Sequence, residues 1–298
     1  PMYLKDAPGG KAYLTKDDSV LNRGKIAFAD TCASCHSSKQ PPAEILADPE
    51  QAKQWYRESV LSSDFLKHNF LSDDKRYPIT QIGTNAARAL ATNAKEGQVW
   101  EEFSSQTYKQ LPSPGKLNLE NPFDEEQPIE FDIPPGGTGY YRTPSLISVW
   151  SSAPLLHNNE LGIYTADPSV AGRMTAFSDA IEKLLWPEKR DRIIHRTERD
   201  THLAMGELEA DVPEGTPIKL LANLDPRETP RILQRKLNSE LGGKILSSLV
   251  RFIPDDVLTP LLLRYNLAPD FIEDHGHEFG ANLADDDKRA LIEFLKTF

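Results

Sequence analysis

Residues 32–36 read Cys32-Ala33-Ser34-Cys35-His36, and they contain both cysteines of the chain. The Cys-x-x-Cys-His pattern is that of covalent c-type haem attachment. On a short helical turn, both thiols reach the vinyl groups along one side of a porphyrin, and the adjoining imidazole points at the iron. The stretch therefore predicts one covalent haem c, bound through Cys32 and Cys35, with His36 as the proximal iron ligand.

Two other interpretations of the motif are weaker. A thioredoxin-type dithiol also contains Cys-x-x-Cys, but it follows a strand and opens a helix, whereas a helical pattern precedes this motif. A zinc site needs four ligands, and the chain has no second Cys-x-x-Cys and no His-x₃₋₅-His pair to complete one. Because haem c is attached outside the bacterial cytoplasm, the haem interpretation also predicts a periplasmic or extracellular location.

The helical pattern before the motif covers residues 18–31, and Ser19 is its predicted N-cap. A second amphipathic pattern covers residues 285–298, with three aspartates in its first turn, where they suit the helix dipole. Gly24 leaves room for another helix to approach the first one, and Phe28 follows one turn later. We expect the two terminal helices to cross beside the haem, as in class I cytochromes c.

The chain as a whole predicts a mainly α protein with a class I cytochrome c-like haem core. We expect a single haem c domain over 1–298, with its core at 15–45 and 270–298 and a large helical and loop-rich insertion at 46–269. Further helices are predicted over 49–71, 85–111, 169–186, 230–252 and 255–266. A long ordered loop is predicted over 112–139, and short strands over 192–196 and 218–221.

Composition argues against several classes of function. The formal net charge of −11 opposes nucleic-acid binding, which needs a basic face. No apolar run approaches the ~20 residues that a membrane-spanning helix requires. The first residues lack the basic and then apolar order of an export signal, so we expect any such signal to precede residue 1. The chain also lacks a glycine-rich phosphate loop, a Gly-x-Ser-x-Gly elbow and a His-Glu-x-x-His motif.

The ligand on the other side of the iron decides between electron transfer and chemistry at the metal. Met174 and Met205 lie where a thioether is usually core filler. Two histidines, His157 and His277, lie in loop-like sequence that can meet a haem. Glycines at 276 and 280 would let the backbone near His277 approach a flat ligand.

Several segments resemble the dihaem c-type cytochromes related to rubber oxygenase, namely 71–78, 82–85, 103–108, 139–146 and 276–280. The stretch from Thr143 to His157 is also similar to one in the wider relatives, the bacterial dihaem cytochrome c peroxidases. Such proteins carry one haem in each of two cytochrome-like halves, and this chain resembles the second, C-terminal half. The Cys-x-x-Cys-His of the first half is absent, so the catalytic activity of the family does not transfer directly.

The resemblance implies a low-spin haem with His36 proximal and His277 distal. It implies that His157 lies near the haem edge, where it would bind a propionate or line an electron route, and a plain structural role for His157 is an equal alternative. Arg142 is a further candidate for pairing with a propionate, and a surface salt bridge is an equal alternative for it. The peroxidase relatives hold calcium partly through backbone carbonyls near the stretch that matches 143–146, so the resemblance makes calcium a candidate ion here.

Two functions follow from these expectations. The first is an exported c-type cytochrome that transfers electrons to or from a second haem domain or another redox protein, within a dihaem peroxidase- or oxygenase-like system. The second is a haem enzyme in its own right, a peroxidase or oxygenase whose distal site is open or labile. A third interpretation is that the chain is a piece of a longer dihaem polypeptide.

Overall fold

The computed structural model describes residues 2–91, 102, 104–205, 208–225 and 258–298. In this part of the chain the structure is mainly α-helical. Its helices are α1 (Asp18–Thr31), α2 (Ala43–Leu46), α3 (Pro49–Leu61), α4 (Ile79–Ile82), α5 (Ala87–Ala91), α6 (Gln106–Lys109), α7 (Val170–Leu185), α8 (Ile218–Ala222), α9 (Leu258–Tyr265) and α10 (Asp285–Leu295). Its strands are β1 (Arg76–Pro78), β2 (Gly115–Leu119), β3 (Ile129–Ile133), β4 (Tyr140–Arg142), β5 (Thr201–Met205) and β6 (Leu208–Val212).

The strands form small two-stranded sheets with the orders β1-β4, β2-β3 and β5-β6. Strands β2 and β3 are antiparallel, with Gly115 opposite Ile133 and Leu119 opposite Ile129. Strands β5 and β6 are also antiparallel, with Thr201 opposite Val212. None of the described helices is long and apolar enough to cross a bilayer.

Helices α1, α7 and α10 agree well with the sequence predictions. Helix α1 has the predicted bounds, but its N-cap is Asp17 and not Ser19, because the Asp17 carboxylate accepts hydrogen bonds from the backbone N–H groups of Ser19 and Val20. Helix α7 is shorter than the prediction by one residue at each end. Helix α10 begins at Asp285 as expected and ends at Leu295.

Other predicted helices differ in length. Helix α3 ends at Leu61, ten residues before the predicted end, because Ser62 is extended and His68 and Leu71 have positive φ angles of 55° and 49°. Within 85–111 the described helices are α5 and α6, and α9 lies within 255–266. The helix predicted over 230–252 lies outside the described residues.

The strand predictions were largely wrong. The loop predicted over 112–139 contains the β2-β3 hairpin, whose strands alternate polar and apolar residues that its many prolines and glycines obscured. Residues 218–221 belong to helix α8, which begins directly after Pro217, and 192–196 form no strand. A short apolar run fits a helix as well as a strand, so its composition could not decide between them.

The chain divides into two compact units. Unit 1 comprises Pro1–Thr84, Tyr141–Asp191 and Asp274–Phe298, and unit 2 comprises Asn85–Tyr140 and Arg192–Glu273. The expected insertion over 46–269 is shared between these units. Unit 1 contains the Cys-x-x-Cys-His motif and helix α10.

Unit 1 has a core built on Phe28 of helix α1. The Phe28 ring makes edge-to-face contacts with Phe65, Phe294 and Phe298 at centroid distances of 6.0, 5.5 and 5.3 Å. Phe177 of helix α7 is fully buried in the same core. The predicted contact between the two terminal helices is therefore present.

Unit 2 has a smaller core around Leu220 and Phe271, which is joined by Phe123 at a ring distance of 5.9 Å. A largely buried ion pair connects Lys219 to Glu273, with 2.8 Å between the ammonium nitrogen and a carboxylate oxygen. Lys219 also donates a hydrogen bond to the carbonyl of Asp270. These contacts tie helix α8 to the segment that ends unit 2.

The close approach of helices α1 and α10 predicts a strong effect of a methyl group at Gly24. A Cβ there would overlap the backbone carbonyl oxygen of Ala290 and crowd the Cβ of Phe294. Gly→Ala normally stabilises a helix by about 1 kcal/mol, but backbone atoms of α10 cannot move aside as a side chain does. We expect Gly24→Ala to lower the free energy of unfolding by about 2 kcal/mol in chemical denaturation. Asn22→Ala on the exposed face of α1 is the matched control, and equal stability of the two variants would contradict the clash.

Candidate functional site

The two cysteines and His36 lie on one turn that continues helix α1. The backbone N–H of Cys32 donates to the carbonyl of Phe28 at 2.8 Å, and that of His36 donates to the carbonyl of Cys32 at 2.8 Å. Both thiols are free and half-buried. Burial, and secondarily the nearby Cys35, raises the pKa of the Cys32 thiol to about 12. The turn thus presents two sulfur atoms and an imidazole from five consecutive residues, as the sequence predicts.

A second imidazole, that of His277, lies close enough to influence His36 electrostatically. Burial, and secondarily His277, lowers the pKa of His36 to about 4, although the carbonyls of Pro144 and Leu71 act in the opposite direction. Burial also lowers the pKa of His277 to about 4, and the positive charge of Arg190 adds to this effect. Both imidazoles are therefore neutral at pH 7, which is the form that binds iron.

Each of these imidazoles keeps a buried nitrogen without a partner. The Nδ1 atoms of His36 and His277 are buried, and neither has a hydrogen-bond partner among the described residues. An unsatisfied buried polar atom costs about 1–3 kcal/mol. Two such atoms, on histidines that influence each other beside a Cys-x-x-Cys pair, fit a site that is completed by a bound group, and the residues present are those that a haem c requires.

Buried Asn69 fixes the chain beside His36. Its side-chain oxygen accepts hydrogen bonds from the backbone N–H groups of Ser38 and Leu71, both at 2.9 Å, and its amide donates to the Ser37 hydroxyl at 3.0 Å. These bonds join the segment after the motif to the segment that carries the Leu71 carbonyl. Sequence analysis did not single out Asn69, because nothing in the local pattern distinguishes it from a surface asparagine.

Two tyrosines line the same region, and sequence analysis missed both. The Tyr77 hydroxyl donates to the Asp73 carboxylate at 2.5 Å, and burial followed by this bond and by Cys35 raises the Tyr77 pKa. The Tyr56 hydroxyl donates to the side-chain oxygen of Gln40 at 2.8 Å, and burial raises the Tyr56 pKa to about 12. Both phenols stay protonated at pH 7 and act as hydrogen-bond donors beside the motif.

The loop that carries His277 packs tightly against helix α7. A Cβ at Gly276 would lie 2.9 Å from Cδ1 of Leu184, and Gly280 has a positive φ of 90°. Only glycine fits both demands without strain, as the sequence interpretation of these glycines anticipated. The His277 ring lies 5.5 Å from the half-exposed ring of Phe279.

The remaining predicted site residues lie in unit 1 as well. His157 stacks on Tyr141, with ring centroids 5.2 Å apart and the Tyr141 hydroxyl 3.3 Å from Nε2 of His157. Arg142 is 57% exposed and forms an ion pair with the more exposed Asp74. A pair this exposed contributes little to stability. The roles of His157 and Arg142 toward haem propionates stay predictions.

The expected calcium ion also stays a prediction. Among the described residues, no three or more His, Cys, Asp or Glu side chains are grouped to hold a metal ion. Carbonyls near 143–146 already have local roles, since that of Thr143 accepts from the Ser72 hydroxyl at 2.7 Å. The Pro144 carbonyl acts on His36.

No family model, curated protein or solved structure matches the chain. The assignment of a function therefore depends on the motif and on the geometry of unit 1.

Proposed function

We propose that this protein is an exported c-type cytochrome with one covalent haem and bis-histidine ligation. Its role is electron transfer within a dihaem peroxidase- or oxygenase-like redox system. One observation carries the proposal: the turn with both cysteines and His36 lies close to the neutral imidazole of His277, whose Nδ1 is buried, within one compact unit.

Each residue of the site has a distinct task in this proposal. Cys32 and Cys35 would hold the haem through two thioether links, and His36 and His277 would bind its iron. When bound, the haem supplies a one-electron Fe(III)/Fe(II) couple. The chain keeps both imidazoles neutral by burial, so that their nitrogen lone pairs are available for the iron at neutral pH.

Ligation by two histidines would favour electron transfer over catalysis at the iron. A metal with six strong ligands has no position for peroxide or oxygen, whereas it changes oxidation state with little rearrangement. The contact of helices α1 and α10 through Gly24 and Phe28 supports a class I cytochrome c-like core. In the proposed system, the partner is a second haem domain or a separate redox protein.

The test is to count the haems per chain. We expect the protein, secreted to the periplasm of a host with a c-type maturation system, to be red and to carry one haem by intact mass and pyridine haemochrome assay. A colourless protein whose two thiols both react with an alkylating reagent would contradict the proposal. High-spin ferric iron that binds cyanide rapidly would favour the haem-enzyme alternative instead.

A further inference from the structure

Arg190 connects helix α7 to the loop that carries His277. It follows directly after the short 3₁₀ turn Pro187–Lys189, and its guanidinium donates to carbonyls on both sides. On the helix side, the acceptors are Lys183 at 3.0 Å and Leu184 at 3.1 Å. On the loop side, they are Gly276 at 3.0 Å and His277 itself at 3.2 Å.

The side chain of Arg190 thus donates to four carbonyl acceptors. A guanidinium has five N–H donors in a rigid plane, so a single arginine satisfies acceptors on two separate segments at once. Burial lowers the pKa of Arg190, with Glu278 and Asp274 acting in the opposite direction. Because its acceptors are backbone carbonyls on two segments, the guanidinium links those segments by hydrogen bonds.

A second contact reinforces the same connection. The backbone N–H of Asp191 donates to the carboxylate of buried Asp274 at 2.9 Å. The absence of a side chain at Gly276 lets the loop lie directly on Leu184. Residues 190–191 therefore hold both the beginning of the His277 loop and the backbone of His277.

We infer that Arg190 is the positioning residue for the distal ligand: it fixes the backbone at Gly276 and His277 so that the His277 imidazole stays directed at the iron. The inference rests on the proposed function and deepens it. The strength of the bond between His277 and the iron would then depend on an arginine of another segment. Without the hydrogen bonds of Arg190, the loop would let His277 leave the iron more often.

The experiment compares Arg190→Ala and Arg190→Lys with the unsubstituted haem-loaded protein. We expect Arg190→Ala to show a high-spin ferric component in optical and electron paramagnetic resonance spectra. We also expect it to bind added imidazole at least about tenfold more tightly, since apparent affinity scales with the fraction of open sites. Lysine has three donors on one nitrogen and cannot bridge both segments fully. The high-spin fraction and the imidazole affinity of Arg190→Lys should therefore lie between those of Arg190→Ala and the unsubstituted protein.

A matched control is Arg173→Ala on helix α7, where the Arg173 guanidinium donates to the carbonyl of Ala153 at 3.3 Å. Amide hydrogen exchange of residues 275–278 should be faster in Arg190→Ala and unchanged in Arg173→Ala. An Arg190→Ala holoprotein with an unchanged spectrum and imidazole affinity would overturn this inference alone. An unsubstituted chain without haem would overturn the proposed function and this inference together.

Discussion

We expect the double variant Cys32→Ala/Cys35→Ala to lose all covalently bound haem. The chain contains no other cysteine, so no other thiol can form a thioether to a vinyl group. The measurement is haem-stained denaturing gel electrophoresis together with intact mass. Each single variant should retain one thioether and therefore a haem-stained band. Its haem would keep one free vinyl group, so the pyridine haemochrome absorption should be shifted from that of the unsubstituted protein.

The control for this prediction is Ser34→Ala, which changes an exposed residue between the two cysteines. It should keep the full haem content, because neither sulfur nor His36 is altered. Haem that remains covalently bound in the double variant would show that the attachment point lies elsewhere. Loss of haem in Ser34→Ala to the same extent would show that the turn, and not its thiols, is the sensitive element.

The second large effect is expected for His277→Ala. With the distal imidazole removed, the iron should change from low spin to high spin and bind added imidazole or cyanide at least about 100-fold more tightly, because the open fraction rises from about 1% or less to nearly all molecules. Ferric spectra and ligand titrations at pH 7 measure both changes. Covalent haem content should stay unchanged, since Cys32, Cys35 and His36 are intact.

His275→Ala is the matched control, two residues earlier in the same loop. The backbone carbonyl of His275 accepts a hydrogen bond from the Thr84 hydroxyl at 2.9 Å. This bond does not involve the His275 imidazole, so removal of the imidazole should leave the iron low-spin. An unchanged spectrum of His277→Ala would mean that another residue is the distal ligand. His157 would then be the first histidine to replace, since it is the other loop histidine that the sequence singles out.

Prediction and structure agree where a sequence pattern lies within consecutive residues, and they differ where an element depends on contacts between segments. Helix α1 has the predicted bounds because consecutive residues show both its helical repeat of apolar side chains and its end at Cys32. The β2-β3 hairpin was missed because the prolines and glycines around it resemble those of a loop, and the pairing of Leu119 with Ile129 is a contact between segments. Helix α8 was taken for a strand because five residues are too few to show a period.

The sequence by itself determined the chemistry that five adjacent residues can specify, namely two thiols and an imidazole on one turn, and it determined the helices at the two chain ends. Tertiary structure alone decided which distant groups surround that turn: His277 near His36, Asn69 bonded to Ser38 and Leu71, and Arg190 bonded to the His277 loop. The physical reason is that covalent spacing fixes the geometry within one turn. Contacts between remote segments are instead set by packing and hydrogen bonding across the whole unit, which no short pattern records.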